Sequence, residues 1–105
     1  MNWHYDFEGR PIDLLTWAAM FESPARIVGR TKIGDARVST VWVGLDLSGF
    51  GHERPLIYES MIFYANGDEE TRRYATLIEA QDGHAQLVAE LELLAAAFGT
   101  DESQA

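Results

Sequence analysis

The chain has 105 residues, a net charge of -9 and no cysteine. The length suits one domain with a core of its own, and the lack of cysteine excludes disulfides and thiolate metal sites. The acidic charge disfavours direct binding to nucleic acid, because that affinity depends on basic side chains that neutralise phosphates. No apolar run approaches the roughly 20 residues of a membrane span and the N-terminus does not resemble a leader, so we expect a cytoplasmic protein without membrane contact.

The first predicted elements are a short strand, a short helix and a second strand. Alternating aromatic and polar residues over Trp3 to Phe7 predict the first strand. Asp13 is a suitable N-cap for a helix from Leu14 to about Glu22. Ser23-Pro24 ends this helix, because the residue before a proline avoids the helical region. A strand with one basic side then covers Ala25 to Ile33.

The strongest signal is a long β-hairpin. Its strands, Arg37 to Leu47 and Leu56 to Ala65, are rich in β-branched and aromatic residues, and Gly34-Asp35 turns the preceding strand into it. Both faces of the hairpin carry large side chains, whereas a sheet with one solvated face alternates more cleanly. We therefore expect helices to cover one face, and the other, semi-apolar face to be either partly covered or an interaction surface. The aromatic residues expected on that surface are Trp42, Tyr58, Tyr64 and Tyr74.

The last elements are a short strand, Thr71 to Ala75, and a long helix. Thr76 and Glu79 match a capping box at the start of the helix. The residues that follow recur at steps of three and four and predict a core-facing stripe. This stripe comprises Leu77, Ala80, His84, Leu87, Leu91, Leu94 and Phe98. We expect His84 to be buried and hydrogen-bonded, and Gly83 to cost helix stability of about 1 kcal/mol relative to alanine.

These elements together predict the α+β class. The order strand, helix, four strands and helix gives an antiparallel sheet of four or five strands, with both helices packed on one face. The domain is expected to span residues 1–99, followed by a disordered acidic tail over residues 100–105.

Acid and base chemistry would require titratable side chains to converge. Asp46, His52 and Glu59 lie in or beside the hairpin and could form such a cluster, which makes a small acid/base enzyme one alternative. No two of the three histidines stand at ligand spacing, so we expect no metal and no cofactor. The glycine-rich loop over residues 48–55 joins two antiparallel strands and opens no helix, so it is a weak candidate for a phosphate cradle.

A second alternative is binding of single-stranded nucleic acid by a basic strand face. Cations interleaved with aromatic rings favour such binding. The residues concerned are Arg26, Arg30, Lys32, Arg37, Arg72 and Arg73, with Trp42, Tyr64 and Tyr74 as the rings. The net acidic charge makes direct binding of nucleic acid the weaker interpretation.

Three segments of the chain carry a resemblance to a known group. They are VSTVWVGLD over residues 38–46, PLIYESMIF over residues 55–63 and RYAT over residues 73–76, accompanied by Glu79-Ala80 and Gly83-His84. This ordered set resembles small uncharacterised proteins of bacteriophages, particularly those of actinobacteria, and of prophages. The resemblance implies a viral setting, and therefore the cytoplasm of the host cell, without implying an activity. A histidine often follows the Asp46 position in that group, whereas this chain has Leu47 there.

The sequence therefore predicts a non-enzymatic phage or prophage protein that binds another protein. The partner would be a host or phage protein, such as an anti-phage defence protein that this chain modulates. The residues expected to contact it are Trp42, Phe50, His52, Arg54, Tyr58, Tyr64 and Tyr74, because aromatic anchors with polar rims form binding hot spots. A homodimer through the uncovered sheet face or through Leu93 to Phe98 is also expected to be possible.

Overall fold

The computed structural model describes residues 3–46 and 54–98. It contains six strands and two α-helices. The strands are β1 (His4–Tyr5), β2 (Pro11–Ile12), β3 (Ile27–Ile33), β4 (Ala36–Trp42), β5 (Tyr58–Phe63) and β6 (Glu69–Tyr74), and the helices are α1 (Leu14–Phe21) and α2 (Leu77–Phe98). A single 3₁₀ turn over Pro24–Arg26 leads into β3. The α+β class and the broad order of elements are confirmed.

Strands β3 to β6 form one antiparallel sheet in the order in which they occur in the chain. Gly34 has a φ of 59° and lies with Asp35 between the paired residues Ile33 and Ala36. This is the two-residue turn predicted at Gly34-Asp35, and its positive first φ matches the type II′ geometry that suits a hairpin. In the central hairpin, Trp42 of β4 pairs with Tyr58 of β5. This pairing defines the register of β4 against β5.

The N-terminal segment differs from the single predicted strand. Strand β1 covers two residues and pairs with β2 as a separate small sheet, closed by a turn in which the Asp6 carboxylate accepts from the Arg10 amide at 2.8 Å. His4 also bridges to Leu45 beyond the end of β4. The small sheet is therefore attached at the end of the main sheet where Trp42 lies.

Both helices begin as predicted. The Asp13 carboxylate accepts from the Thr16 amide at 2.8 Å at the start of α1. Hydrogen bonds from the Thr16 side chain and then from this amide lower the pKa of Asp13. At the start of α2 the Thr76 hydroxyl accepts from the Glu79 amide, and the Glu79 carboxylate accepts from the Ala75 amide, each at 3.1 Å. These bonds satisfy amides that have no partner inside the helix.

Helix α2 packs across one face of the main sheet, which we call the covered face. The core there consists of two apolar clusters. One cluster contains Val38, Ile62, Leu87 and Leu91, and the other contains Trp42, Ile57, Tyr58 and Ala80. Trp17 and Phe21 of α1 pack on the second cluster, so both helices lie on this face, as predicted.

The predicted stripe of α2 is buried only in its middle. Ala80, Leu87 and Leu91 are buried, whereas Leu77 and Leu94 are exposed. The side chain of Phe98 and residues 99–105, which include the predicted acidic tail, lie outside the described part of the chain. Within the described part, neither helix has the length and apolar character needed to cross a bilayer.

Candidate partner-binding surface

The predicted exposed surface included Trp42 and Tyr58, and this placement is wrong. Both side chains lie on the covered face, with exposed fractions of 0% and 1%. The Trp42 indole packs edge-on against Phe7 at 4.9 Å and donates from Nε1 to the Asp6 carbonyl at 3.2 Å. The Tyr58 hydroxyl donates to the Phe7 carbonyl at 2.8 Å, and burial, followed by nearby acidic charge, raises the pKa of Tyr58 to about 12. A partner has no access to either ring.

The other two predicted aromatic residues also face the helix side. The Tyr74 hydroxyl donates to the Ser60 hydroxyl at 3.1 Å, and its ring lies against Gly83 of α2. Tyr64 is half-buried beside the first apolar cluster and donates to the Glu70 carboxylate at 2.8 Å, which raises the pKa of Tyr64. Because all four rings lie on this side, the aromatic residues strengthen the core and do not form the predicted surface.

The predicted loop residues are only partly described. Phe50 and His52 lie outside the described residues. Arg54 is exposed and its Nη1 lies 3.1 Å from Glu79 Oε2 at the start of α2. Hydrogen bonds from the Ala75 amide and then from Arg54 lower the pKa of Glu79. Arg54 therefore helps to attach the loop end to α2, and its role in binding a partner stays a prediction.

The proposed acid and base residues have separate contacts. The Asp46 carboxylate accepts from the Leu56 amide at 3.0 Å and thereby closes the base of the loop. Glu59 Oε2 lies 3.3 Å from Arg73 Nε on the neighbouring strand. His52 is outside the described residues, so convergence of the three side chains stays a prediction.

The opposite face of the main sheet carries no helix among the described residues, and we call it the open face. The register places its side chains in three rows that run from β3 to β6. The rows are Lys32, Arg37, Phe63 and Glu69; then Arg30, Ser39, Met61 and Thr71; then Ile27, Val41, Glu59 and Arg73. This face therefore holds four cations and two carboxylates in a protein whose net charge is -9.

The cations concentrate at one end of the open face. Lys32 and Arg37 lie directly opposite each other in neighbouring strands, and Arg30 follows Lys32 at the next position on the same face. No carboxylate of the described residues lies within ion-pair distance of these three side chains. Like charges directly opposite in a sheet destabilise it by up to about 1 kcal/mol. We call this set the basic cluster.

A groove of about 500 Å³ opens beside the basic cluster. The side chains of the basic cluster line it together with Ser39 and Phe63, and the strand segments of Thr31 and Val38 complete it. The Arg37 guanidinium lies 4.7 Å above the centre of the Phe63 ring, an arrangement that holds the cation by its attraction to the ring face. The groove thus combines three positive charges, one hydroxyl and one half-buried ring.

The aromatic residues predicted to interleave with the cations lie on the other side of the sheet. Arg72 also faces that side, where its Nη2 is 3.4 Å from Glu90 of α2, and Arg26 lies 4.2 Å above the Phe21 ring. On the described part of the open face, Phe63 is the only aromatic residue. The stacking series expected for single-stranded nucleic acid is not present there.

A polar layer separates the two apolar clusters under α2. The His84 ring accepts or donates at both nitrogens, at 2.7 Å from the Thr40 hydroxyl and 2.9 Å from the Thr31 hydroxyl. Thr40 is in turn bonded to Ser60, and Ser60 to Tyr74. Desolvation lowers the pKa of His84. Thr40 and Ser60 are both 0% exposed, so these hydroxyls stabilise the core and cannot reach a substrate.

The structure gives no sign of a metal centre within residues 3–46 and 54–98, where no three His, Asp or Glu side chains form a suitable group.

A scan against protein-family models, a search of curated proteins and a search of solved structures each found no significant match to this chain. The surfaces of the molecule are therefore the features that indicate a function.

The sequence pointed to the hairpin but not to the residues that form its groove. Arg37 and Ser39 alternate with the buried Val38 and Thr40, and this polar alternation marks the solvated face of β4. Phe63 continues the same face on β5. The alternation is clear in β4, but Met61 and Phe63 on the same face of β5 obscure it for the hairpin as a whole.

Proposed function

We propose that this protein is a non-enzymatic binding module, and that the basic cluster and its groove contact an acidic surface of a protein partner. The observation that carries the proposal is the pairing of Lys32 with Arg37 and the proximity of Arg30, without a described carboxylate to compensate them. The arrangement costs stability, and local conflicts of this kind concentrate at functional sites. An acidic partner would relieve the repulsion.

A protein partner is favoured over nucleic acid by the surroundings of the groove. The one ring on the described part of the open face, Phe63, lies under Arg37, so it is not free to stack on a base. The chain as a whole is acidic, which repels a polyanion at long range but leaves short-range contact with a compact acidic patch favourable.

A homodimer through the open face, considered from sequence, stays a prediction. An arrangement that brought the two basic clusters together would be opposed by their like charge. At the end of α2, Leu93 and Leu94 are exposed, and a dimer through that end stays a prediction.

The narrower form of the proposal is a phage or prophage protein in the host cytoplasm that modulates a host or anti-phage defence protein. It is supported by the sequence resemblance and by the binding surface described above. Identification of the partner and of the neighbouring genes would test this narrower form.

The proposal is tested by capture from lysate with two variants of equal charge. The double variant Lys32→Gln/Arg37→Gln removes two charges from the groove. The double variant Gln81→Glu/Gln86→Glu adds two negative charges at exposed positions of α2, so both variants have the same net charge. We expect proteins retained by the wild type to be retained by the α2 variant and reduced about tenfold by the groove variant, as for the loss of about 1.4 kcal/mol.

Equal retention by all three proteins would contradict the proposal, as would an absence of specific retention by the wild type. A parallel arm measures binding of an oligothymidine by fluorescence anisotropy. Tight binding of the oligonucleotide that weakens steeply with salt and disappears in the groove variant would replace a protein partner with nucleic acid.

A further inference from the structure

We propose that the partner contributes an extended acidic segment that pairs with β3 as an additional antiparallel strand. This inference rests on the proposed function, because it uses the same groove. It specifies the form of the ligand: alternate residues of the segment carry carboxylates above the basic cluster, and its main chain completes the sheet.

Strand β3 is an edge of the four-stranded sheet. The two-residue turn is closed by hydrogen bonds between Ile33 and Ala36, and hydrogen-bonded pairs alternate with non-bonded pairs along an antiparallel ladder. Lys32 and Arg30 therefore occupy non-bonded positions opposite β4. Their main-chain N–H and C=O groups point away from the sheet.

These outward main-chain groups have no described partner. Outside the ladder, no hydrogen bond between described residues uses Arg30 or Lys32, and both residues are exposed. An added strand would pair with these groups directly, which is how extended peptides bind to open sheet edges. At the edge of the sheet, Arg30 and Lys32 therefore offer main-chain N–H and C=O groups that can hydrogen-bond to an added strand.

The side chains at the same two residues match an alternating acidic pattern. Successive side chains of a strand point to opposite faces, and Arg30 and Lys32 are two residues apart on the open face. Acidic residues at alternate positions of an added strand would lie directly opposite them, with Cβ atoms about 5 Å apart, so that their carboxylates could reach the cations. Residues between the carboxylates would face the other side, beside the half-buried Ile33 and Val88, where apolar side chains fit.

Basic residues on an edge strand commonly protect a sheet against unwanted pairing, and Lys32 alone could serve that purpose. Arg37 does not, because β4 lies inside the sheet between β3 and β5 and needs no such protection. Its position directly beside Lys32 concentrates charge where an acidic strand would lie. This second cation favours recognition over protection.

The test uses a fluorescein-labelled peptide of seven residues that alternates aspartate and valine. Two controls have the same sequence. One is N-methylated at the aspartate amides, which would point toward β3 in an antiparallel pair, and the other at the valine amides, which would point away. Binding is measured by fluorescence anisotropy, and protection of the Arg30 and Lys32 amides is measured by hydrogen exchange.

We expect methylation at aspartate to weaken binding about tenfold or more, since each methylated amide loses a main-chain hydrogen bond to β3, while methylation at valine changes binding by less than about threefold. At saturation the Arg30 and Lys32 amides should exchange at least about tenfold more slowly. The Lys32→Gln/Arg37→Gln variant should bind the parent peptide more weakly than the Gln81→Glu/Gln86→Glu variant does.

Two outcomes would overturn strand addition. If all three peptides bind equally, the two amides remain unprotected and binding still depends on Lys32 and Arg37, the partner uses the groove without pairing, and the proposed function stands. If the parent peptide does not bind the wild type at about 1 mM, strand addition is rejected, and the capture experiment alone decides the proposed function.

Discussion

The covered and open faces are built from the same strands, but one forms the core and the other carries uncompensated charge. On the covered face, β4 and β5 place Val38, Trp42, Tyr58 and Ile62 in the core, and Thr40 and Ser60 hydrogen-bond within the polar layer. On the open face, the same two strands present Arg37, Ser39, Met61 and Phe63, and the basic cluster is left without described carboxylates. One face is optimised for stability, and the other retains a local electrostatic cost.

The difference is informative because acidic residues are abundant. The chain has 17 acidic and 8 basic residues, and several cations outside the basic cluster contact carboxylates. Arg73 contacts Glu59, Arg72 contacts Glu90, and Arg54 contacts Glu79. The basic cluster is the exception to this pairing among the described residues of the sheet. Its charges are therefore available to a ligand.

The largest expected effect distinguishes two aromatic residues on opposite faces. Trp42→Ala should reduce the free energy of unfolding by about 3–5 kcal/mol, because it empties a site in the core. Phe63→Ala on the open face should cost only about 1 kcal/mol, because its ring is half-buried. Urea unfolding followed by circular dichroism measures both values. Similar losses for the two variants would contradict the assignment of the faces.

A smaller effect is expected at Gly83, where helix propensity and packing oppose each other. Alanine gains about 1 kcal/mol of helix propensity over glycine. Its Cβ would, however, lie 2.3 Å from the Tyr74 ring, and overpacking costs about 1–3 kcal/mol. We expect Gly83→Ala to lower the free energy of unfolding by roughly 1 kcal/mol.

Two further variants isolate the contact between Gly83 and Tyr74. Gln81→Ala on the exposed side of the same helix should be nearly neutral, because it adds no contact with the sheet. Tyr74→Leu should remove most of the effect of Gly83→Ala when the two are combined. If Gly83→Ala stabilises the protein in thermal and urea unfolding, the close packing described here is wrong.

The polar layer should give the covered face a dependence on pH. Because burial lowers the pKa of His84 in the folded protein, the unfolded chain binds more protons between the two pKa values. Stability should therefore rise with pH through this window, and should decrease as pH falls below the ordinary histidine value near 6.5. Urea unfolding between pH 5.5 and 8 measures the change. This pH range lies above the ordinary pKa values of the carboxyl groups of Asp13 and Glu79.

The variant His84→Gln provides the control for this pH dependence. The difference in unfolding free energy between wild type and variant should depend on pH across the window, because only the wild type carries the buried imidazole. A constant difference would show that His84 does not contribute to the linkage.

The smallest expected effect lies on the open face. Lys32→Gln should increase the free energy of unfolding by about 0.2–1 kcal/mol, because it removes a like-charge pair, while it weakens partner binding. Arg73→Gln, which loses the contact with Glu59, should have the opposite effect on stability or none. Thermal unfolding at low salt measures both. Destabilisation by Lys32→Gln would contradict the electrostatic cost inferred for the basic cluster.

Local sequence signals predicted most of the secondary structure. The Gly34-Asp35 turn, the Asp13 N-cap and the Thr76 capping box depend on residues within a few positions of one another, and each is present. His84 was correctly expected to be hydrogen-bonded. The pairing of the two-residue strands β1 and β2 was not predicted, because such short segments carry no periodicity.

The choice of the covered face could not be predicted in the same way. Both faces of the central hairpin carry large side chains, so its own alternation did not identify the core. The outcome depends on contacts distant in sequence, such as Trp42 with Phe7 and Phe21. The reason for a glycine at position 83 could not be predicted either, because it depends on where the Tyr74 ring lies. Side-chain chemistry suggested a binding surface, but tertiary packing determined which residues remain available.

The polar layer also has a consequence for how α2 finds its place. If the helix slid along the sheet by one turn, Ala80 or Val88 would take the position of His84, and neither can bond the hydroxyls of Thr31 and Thr40. The Thr31 hydroxyl and the His84 ring would lose the hydrogen bonds that join them, and Thr40 would keep only its bond to Ser60. A buried polar group that loses its partner costs about 1–3 kcal/mol. The hydrogen bonds of His84 therefore favour one position of α2 along the sheet over positions shifted by a helical turn.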